Sequence, residues 1–365
     1  MKTVLLLRSA ALGDFILSAP AFSMIRRIYS DYNIVLLTIS SANKKIRSQV
    51  SIYSGGTSSF PWVDLASPHL VDQIVGIDSL SSPTSILKVR KKLSVFDIKL
   101  CIMLLDPCAP WLGKLKKLIL LRFLVGFAPI YGWRGHGSIK GDRMALKEKG
   151  LLRHHVHGPL QFLSELNPAI SYYDDDLEFD LRPTQESERW AENWTKDFCQ
   201  DGGRLVAIAP GALQVHKQWP LESFQQLLMA LLMQFNDLHF VILGTPNDKP
   251  LGQLLANLHP TRISNLAGLT TIDQSAALLK RVFLLIGNDG GAMHLGDAMG
   301  SKVISIVPGI EYPDSIEPWH NKDLVIRLPI ECAPCYSFTY CPQGHQRCMR
   351  DIPVATVLSR CQSVL

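Results

Sequence analysis

The sequence predicts an α/β protein made of two doubly wound domains that face a central cleft. Apolar, strand-like runs alternate with helix-like segments, which is typical of parallel sheets covered by helices. This alternation stops at a polar, acidic stretch near residues 174–185 and then starts again. The 365 residues, of which 47% are hydrophobic, suffice for two cores. We place the division at 178/179, which gives a first domain of residues 1–178 and a second domain of residues 179–365.

Each half has its own series of elements. The N-terminal half has predicted strands at residues 3–7, 34–39, 74–77 and 98–104, and helices at 15–29 and 87–96. The C-terminal half has predicted strands at 205–208, 240–243, 283–286 and 303–306, and helices at 221–234 and 275–280. Pro220 suits the first turn of the helix near 221, because that turn needs no intrahelical N–H donor. Ligands of such folds bind at the carboxyl ends of the strands, so we expect the functional residues there.

Composition narrows the function classes. The formal charge of +5 favours an anionic partner, but basic residues are scattered and no nucleic-acid motif is present. The apolar N-terminus is interrupted by Arg8 and Asp14, so it does not resemble a signal peptide. The apolar window at 118–127 is too short to span a bilayer. We therefore expect a cytoplasmic protein without nucleic-acid partners, whose eight cysteines are free thiols or metal ligands.

The most informative motif is the run 286–295, IGNDGGAMHL, which follows an apolar strand. A glycine-rich turn from a strand into a helix presents free backbone N–H groups at the positive end of the helix dipole, which is a site for phosphate. Asp289 would repel phosphate. It is therefore expected either to accept a hydrogen bond from a sugar or base, or to cap the helix.

Two further loops follow predicted strands. The loop 8–14 carries one carboxylate, Asp14, for which a helix N-cap and a general base in the cleft are both open interpretations. The loop 209–220 carries Lys217, which is either a solvated surface lysine or a ligand of a diphosphate.

Cysteines and basic residues form two more patterns. The spacing C-x2-C-x5-C-x6-C indicates either a zinc or iron site or a reduced cluster that packs a loop, and it comprises Cys332, Cys335, Cys341 and Cys348. Residues 111–127 combine lysines and an arginine with leucines at helical spacing. This segment is either a basic amphipathic helix that rests on an anionic membrane face or a partly buried helix with a solvated basic edge.

Taken together, these motifs resemble glycosyltransferase family nine, the bacterial ADP-heptose:lipopolysaccharide heptosyltransferases. The resemblance rests on residues 8–20 (R-x4-LGD-x5-P), 210–220 (PGA…K-x-WP), 287–300 (GNDGGAMHLGDAMG) and the heptosyltransferase II-like tail at 332–352. It implies a GT-B architecture of two Rossmann-like domains, with the acceptor on the first domain and the nucleotide sugar on the second. It also implies inverting transfer that needs no cofactor.

The resemblance further implies roles for individual residues. Asp14 matches the catalytic base and Lys217 the phosphate-binding lysine. The nucleotide-sugar-binding positions are Gly211, Ala212, Asp248 (or Asn247), Leu269, Asp289, Gly290, Gly291 and His294. The acceptor domain has no motif that can be aligned with the family, and Gly13 and Arg134 are candidates for acceptor binding. Gly290 and Ala212 depart from the family, which often has hydroxyl residues there.

The implied function is heptose transfer from ADP-heptose to a lipid A–Kdo or heptose core acceptor, at the inner face of the cytoplasmic membrane. Alternatives are a family-nine transferase with a protein acceptor or another nucleotide sugar, and a non-catalytic nucleotide-sugar-binding protein. The presence of both Asp14 and Lys217 argues against a mere binder. A dehydrogenase is disfavoured because no G-x-G-x-x-G follows the first strand. The oligomeric state stays open.

Overall fold

The computed structural model describes residues 1–8, 11–39, 62–66, 68–77, 83–104, 111–133, 154–167 and 171–365. The chain forms two compact units, and the boundary between them lies between Leu181 and Arg182. This boundary is close to the predicted division at 178/179.

The first unit is built on a parallel sheet. Its strands are β1 (Lys2–Leu7), β2 (Asn33–Ile39), β3 (Gln73–Ile77), β4 (Asp97–Met103) and β5 (Ile130–Tyr131), and its α-helices include α1 (Leu12–Ile16), α2 (Ala19–Ile28), α3 (Pro83–Leu93), α4 (Trp111–Val125) and α5 (Phe162–Leu166). The strand order is β3-β2-β1-β4-β5. Residues 4–7 of the central strand are buried and apolar, as expected for a parallel strand covered on both faces.

The predicted helix at residues 15–29 is wrong in one respect, because the structure divides it into α1 and α2. Pro20 is the second residue of α2. A proline has no N–H to donate, and its ring clashes with the carbonyl four residues earlier, so a continuous helix through Ile16 is disfavoured. The Ser18 hydroxyl bridges the break by donating to the Asp14 carbonyl oxygen at 2.7 Å. The break therefore fixes α1 as a short, separate element after β1.

The second unit repeats the architecture. Its strands are β6 (Arg204–Ala209), β7 (Leu238–Ile242), β8 (Ile263–Asn265), β9 (Leu284–Asn288), β10 (Lys302–Ile306) and β11 (Val325–Ile326), and its α-helices are α6 (Gln185–Phe198), α7 (Leu221–Gln234), α8 (Lys249–Ala256), α9 (Ile272–Leu279), α10 (Gly291–Ala298), α11 (Arg347–Arg350) and α12 (Val354–Gln362). All pairs are parallel and the order is β11-β10-β9-β6-β7-β8. This is the doubly wound order, in which the winding reverses beside the first strand.

The helices of this unit show what the sequence pattern did and did not indicate. The prediction for 221–234 is confirmed residue for residue by α7. Helix α6 was not predicted, although Thr184 caps it by accepting a hydrogen bond from the Ser187 N–H at 3.2 Å. The predicted helix at 275–280 begins earlier, at Ile272, because Thr271 and Gln274 form a capping box.

Candidate functional site

In the first unit the winding reverses between β1 and β4, so the carboxyl ends of these strands are neighbours. Asp14 lies in the first turn of α1, directly after β1, and is half-buried. The N-cap of α1 is Ala11, so the interpretation of Asp14 as an N-cap is wrong. Among the described residues, none donates a hydrogen bond to the Asp14 carboxylate.

Arg8 holds this loop in place. Its side chain is buried; Nη2 donates to the Asp14 carbonyl oxygen at 2.6 Å, and Nη1 donates to the Leu104 carbonyl oxygen at 2.9 Å. Leu104 directly follows β4, so one guanidinium joins the first turn of α1 to the end of β4 at the reversal point. The sequence showed Arg8 only as part of a motif. Its bridging role depends on the hydrogen bond to Leu104, which lies 96 residues away in the sequence.

The two predicted acceptor-binding residues have different outcomes. Gly13 lies in α1 beside Asp14, and its carbonyl oxygen accepts a hydrogen bond from the Leu17 N–H at 3.0 Å. Arg134 lies outside the described residues. Both remain predictions for acceptor binding.

The second unit has an equivalent reversal point between β6 and β9, where Asn288 ties the two following loops together. Its amide donates to the Pro210 carbonyl oxygen at 2.7 Å, and its side-chain oxygen accepts from the Trp219 N–H at 3.0 Å. Asn288 is buried, so both bonds are shielded from water. The loop 210–219 is therefore clamped at both ends against the end of β9. Sequence reasoning missed this clamp, although an asparagine at the end of a buried strand was a usable signal.

Lys217 and Asp289 form an ion pair inside this clamp. The Lys217 ammonium lies 2.7 Å from Oδ2 of Asp289, and the two side chains are 15% and 5% exposed. Lys217 is thus not a solvated surface lysine. A largely buried carboxylate beside it cancels part of its charge and holds its ammonium at the carboxyl end of the sheet.

The turn after Asp289 opens α10. Gly290 is the N-cap, so the alternative that Asp289 caps the helix is wrong. Gly290 has extended backbone and makes no side-chain cap, and Gly291 is the first helical residue. The first N–H groups of a helix lack intrahelical partners and carry the positive end of its dipole. His294 lies one turn further on and is buried. The turn thus offers N–H donors beside the Lys217 ammonium.

Asp248 lies against the loop after β6. Its Oδ2 accepts hydrogen bonds from the backbone N–H and the hydroxyl of Thr245, both at 2.7 Å. Its carboxylate also faces Gly211 so closely that a Cβ on Gly211 would lie 2.2 Å from Oδ1. Asn247, the alternative candidate, is exposed. The Asp248 carboxylate is therefore fixed where the loops after β6 and β7 meet.

Leu269 lies in the loop after β8 and is 58% exposed. The preceding Gly268 has a φ of +71°, and its N–H donates to the Gly244 carbonyl oxygen at 2.9 Å. A Cβ on Gly268 would lie 2.5 Å from Cα of Pro246, so only glycine fits there. The close approach of Gly268 to Pro246 fixes the loop after β8 that presents the exposed Leu269.

Ala212, in the loop after β6, is half-buried.

His216 was not among the predicted site residues, yet it is buried next to Lys217. Its Nε2 has no hydrogen-bond partner among the described residues. Burial lowers the pKa of His216 below its ordinary value of 6.5, and the Lys217 charge lowers it further, against a hydrogen bond to the backbone of Ser337. That bond connects the loop after β6 to the cysteine-rich segment 332–348.

The cysteines of that segment pack around the loop after β10. The Cys335 N–H donates to the Gly309 carbonyl oxygen at 3.1 Å. Burial raises the pKa of the Cys348 thiol, against a backbone hydrogen bond from Gly309. Sγ of Cys332 lies 4.0 Å from Nε2 of His345.

These contacts leave the predicted zinc or iron site on Cys332, Cys335, Cys341 and Cys348 without support. Across the described ranges, which include all four cysteines, no three His, Cys, Asp or Glu side chains are grouped to hold a metal ion. The observed contacts instead agree with the other interpretation of this spacing, a reduced cluster that packs a loop.

The described part of the chain also contains no helix that is both long enough and apolar enough to cross a membrane.

Comparison with known proteins connects these sites to a family. The model of glycosyltransferase family 9 (heptosyltransferase) matches residues 113–343. Lipooligosaccharide heptosyltransferase 2 of Haemophilus influenzae is 26% identical over 222 residues, which cover 56% of this chain and 62% of that protein. Lipopolysaccharide heptosyltransferase 2 of Salmonella typhimurium is 26% identical over 258 residues, which cover 68% and 72% of the two chains.

The solved structure of ADP-heptose lipopolysaccharide heptosyltransferase II from Escherichia coli has a similar fold. Its TM-score is 0.66 at 16% identity, and the alignment covers 100% of this chain and 98% of that one. The two doubly wound units, each with polar residues at its reversal point, agree with the GT-B fold of that structure. Because the family model matches more than half of its length, the chain belongs to glycosyltransferase family 9, the heptosyltransferases.

Proposed function

We propose that this protein transfers a heptose from ADP-heptose to a lipopolysaccharide inner-core acceptor, with inversion at the anomeric carbon, at the inner face of the cytoplasmic membrane. Family membership supports the reaction class, and the names of the relatives support the lipopolysaccharide acceptor. The observation that carries the proposal is the Lys217 ammonium held at 2.7 Å from Asp289, beside the N-terminus of α10.

The donor diphosphate binds at this reversal point. Lys217 supplies a cation and the first turn of α10 supplies N–H donors, so the two neutralise the charge that develops on ADP as it departs. Both groups are fixed before the reaction, and the proposed transfer uses no further cofactor. Gly211, Ala212, Gly290 and Gly291 let the donor approach the backbone closely.

The remaining donor contacts follow from the loops around the diphosphate. Asp248, fixed by Thr245, accepts a hydrogen bond from the ribose, and the exposed Leu269 packs against the adenine ring. Asp289 contacts the heptose or orients Lys217 toward the diphosphate, and His294 supports the same turn. All of these residues belong to the second unit, which supports nucleotide binding there.

Asp14 acts as the general base on the acceptor. As the acceptor oxygen attacks the anomeric carbon, its hydroxyl proton passes to the Asp14 carboxylate. The bond between the anomeric carbon and the ADP oxygen breaks with its electron pair on ADP. The carboxylate is free of hydrogen-bond donors among the described residues, while Arg8 fixes the backbone around it. A positioned base typically contributes about 10²–10⁴-fold to the rate.

A donor screen tests the proposed function. The purified protein is incubated with a lipid A–Kdo acceptor and, in separate reactions, ADP-heptose, another ADP-sugar or a UDP-sugar, and the products are measured by mass spectrometry. We expect a mass increase of one heptose from ADP-heptose alone. Transfer only from a UDP-sugar would contradict the donor, and labelling of a protein in place of the lipid would contradict the acceptor.

A further inference from the structure

Helices α3 and α4 of the first unit carry a surface outside the proposed donor-binding residues and the proposed base. Contact between these helices includes the Arg90 guanidinium, which lies 4.7 Å from the centre of the Phe123 ring. Helix α4 buries Leu121 and Leu124 toward the core of the unit. Its opposite side faces solvent in the described part of the chain.

The outward side of α4 is apolar, which is unusual for a helix on the surface of a domain. Helical spacing places Leu112, Leu115, Ile119 and Phe123 on one face, with exposures of 56%, 39%, 62% and 44%. Phe127, in the turn after the helix, is fully exposed. A surface helix normally presents polar residues there. An exposed apolar helix face of this kind indicates a binding surface.

Positive charge surrounds this apolar face. Residues 83–96 contain four Lys or Arg residues and residues 111–127 contain four more, and neither segment contains Asp or Glu. Exposed cations on the two helices are Lys88, Arg90, Lys91, Lys92, Lys116 and Arg122. We call the exposed apolar side chains of residues 112–127 together with these cations the α3–α4 surface.

We propose that the α3–α4 surface docks on a bilayer of anionic phospholipids, with its apolar side chains among the upper acyl chains and its cations at the headgroups. Exposed apolar residues flanked by Lys and Arg are the combination that binds such an interface. A second copy of the chain is a poorer partner, because a symmetric contact would bring the same cations together. This docking proposal rests on the proposed function for its cellular setting. It deepens that function, because docking holds the acceptor domain against the membrane.

Vesicle flotation of the full chain tests this docking without donor or acceptor. We expect binding to vesicles of phosphatidylethanolamine with phosphatidylglycerol, weaker binding at high salt, and little binding to phosphatidylcholine alone. The double variant Lys88→Gln/Lys116→Gln should bind about 25-fold more weakly, at roughly fivefold for each lost cation. The double variant Ile119→Gln/Phe127→Ser should lose about tenfold, since it removes exposed apolar area.

A matched control is Met233→Gln on α7, because Met233 is 81% exposed but lies on a helix without Lys or Arg. We expect it to bind vesicles like the unaltered protein. Equal binding to both vesicle types, an equal loss in the control, or self-association through this surface in place of vesicle binding would overturn the proposal.

Transfer to a water-soluble acceptor fragment without acyl chains separates the two proposals. That activity should be unchanged in both double variants, because their residues lie outside the proposed donor and acceptor positions. Vesicle binding without transfer activity would contradict only the proposed function. Transfer activity without vesicle binding would contradict only the docking surface.

Discussion

Removal of either partner from the Lys217–Asp289 pair should affect stability unequally. In Lys217→Met, the Asp289 carboxylate, 5% exposed, loses its counter-ion in a buried position. Breaking a buried pair in this way typically costs about 3–5 kcal/mol, and the 15% exposure of Lys217 favours the lower end. In Asp289→Asn, the lysine keeps a flexible stem that can bring its ammonium to water. We therefore expect a cost of only about 1 kcal/mol.

Thermal unfolding followed by circular dichroism measures this difference. For a unit of this size, 1 kcal/mol lowers Tm by about 2–4 °C. The transition of the second unit should therefore fall by about 6–12 °C in Lys217→Met and by about 2–4 °C in Asp289→Asn. The double variant should be more stable than Lys217→Met, because it no longer buries an unpaired charge. A loss in Asp289→Asn equal to that in Lys217→Met, or a double variant less stable than both, would refute the reasoning.

The other predictions concern the same two reversal points. Arg8→Met should lower kcat about 100-fold with little change in the KM for the donor, because even a small displacement of Asp14 from the reacting hydroxyl costs this much. Arg8→Lys should recover part of this loss, and steady-state assays measure both variants. Gly211→Ala should destabilise the protein by about 1–3 kcal/mol in denaturant titrations, because its Cβ would meet Asp248 at 2.2 Å. Gly290→Ala should change stability by less than about 0.5 kcal/mol, since the nearest atom to the added Cβ is 3.9 Å away. Equal losses of stability in Gly211→Ala and Gly290→Ala would contradict this packing argument. Because burial depresses the pKa of His216, the folded state resists its protonation, and Tm should fall as pH drops below about 6.5. His216→Asn should weaken that dependence, and an unchanged pH profile would exclude the histidine as its cause.

Local patterns predicted most of the strands, because buried parallel strands are continuous apolar runs. Helix α7 was predicted in full, since its apolar spacing runs uninterrupted from Leu221 to Gln234. Near Pro20 the same reasoning failed, because the apolar spacing continued through a residue that cannot extend the preceding hydrogen-bond ladder. Helix α6 was missed because a polar, amphipathic helix after an acidic stretch resembles a linker.

Contacts between distant residues account for the rest of the candidate site. The turn at 286–295 could be predicted because strand, glycines and helix are adjacent in sequence. The partner of Asp289 could not, because Lys217 lies 72 residues away in the loop after β6. The Arg8 bridge to Leu104 and the Asn288 clamp likewise depend on strand order. The cysteine spacing suggested a metal site. The observed contacts of Cys335 and Cys348 are instead with Gly309, which lies outside the cysteine motif.

Comparison of Asp14→Asn with Asp31→Asn tests the central claim most directly. Asp31 is an exposed carboxylate of the same unit, so its variant controls for the loss of one charge. The measurement is kcat/KM for heptose transfer from ADP-heptose, with ADP affinity determined by calorimetry on the same samples. Asp14→Asn should lose about 10²–10⁴-fold in transfer with unchanged ADP affinity, and Asp31→Asn should behave like the unaltered protein. Retained transfer by folded Asp14→Asn would contradict the assignment of Asp14 as the base.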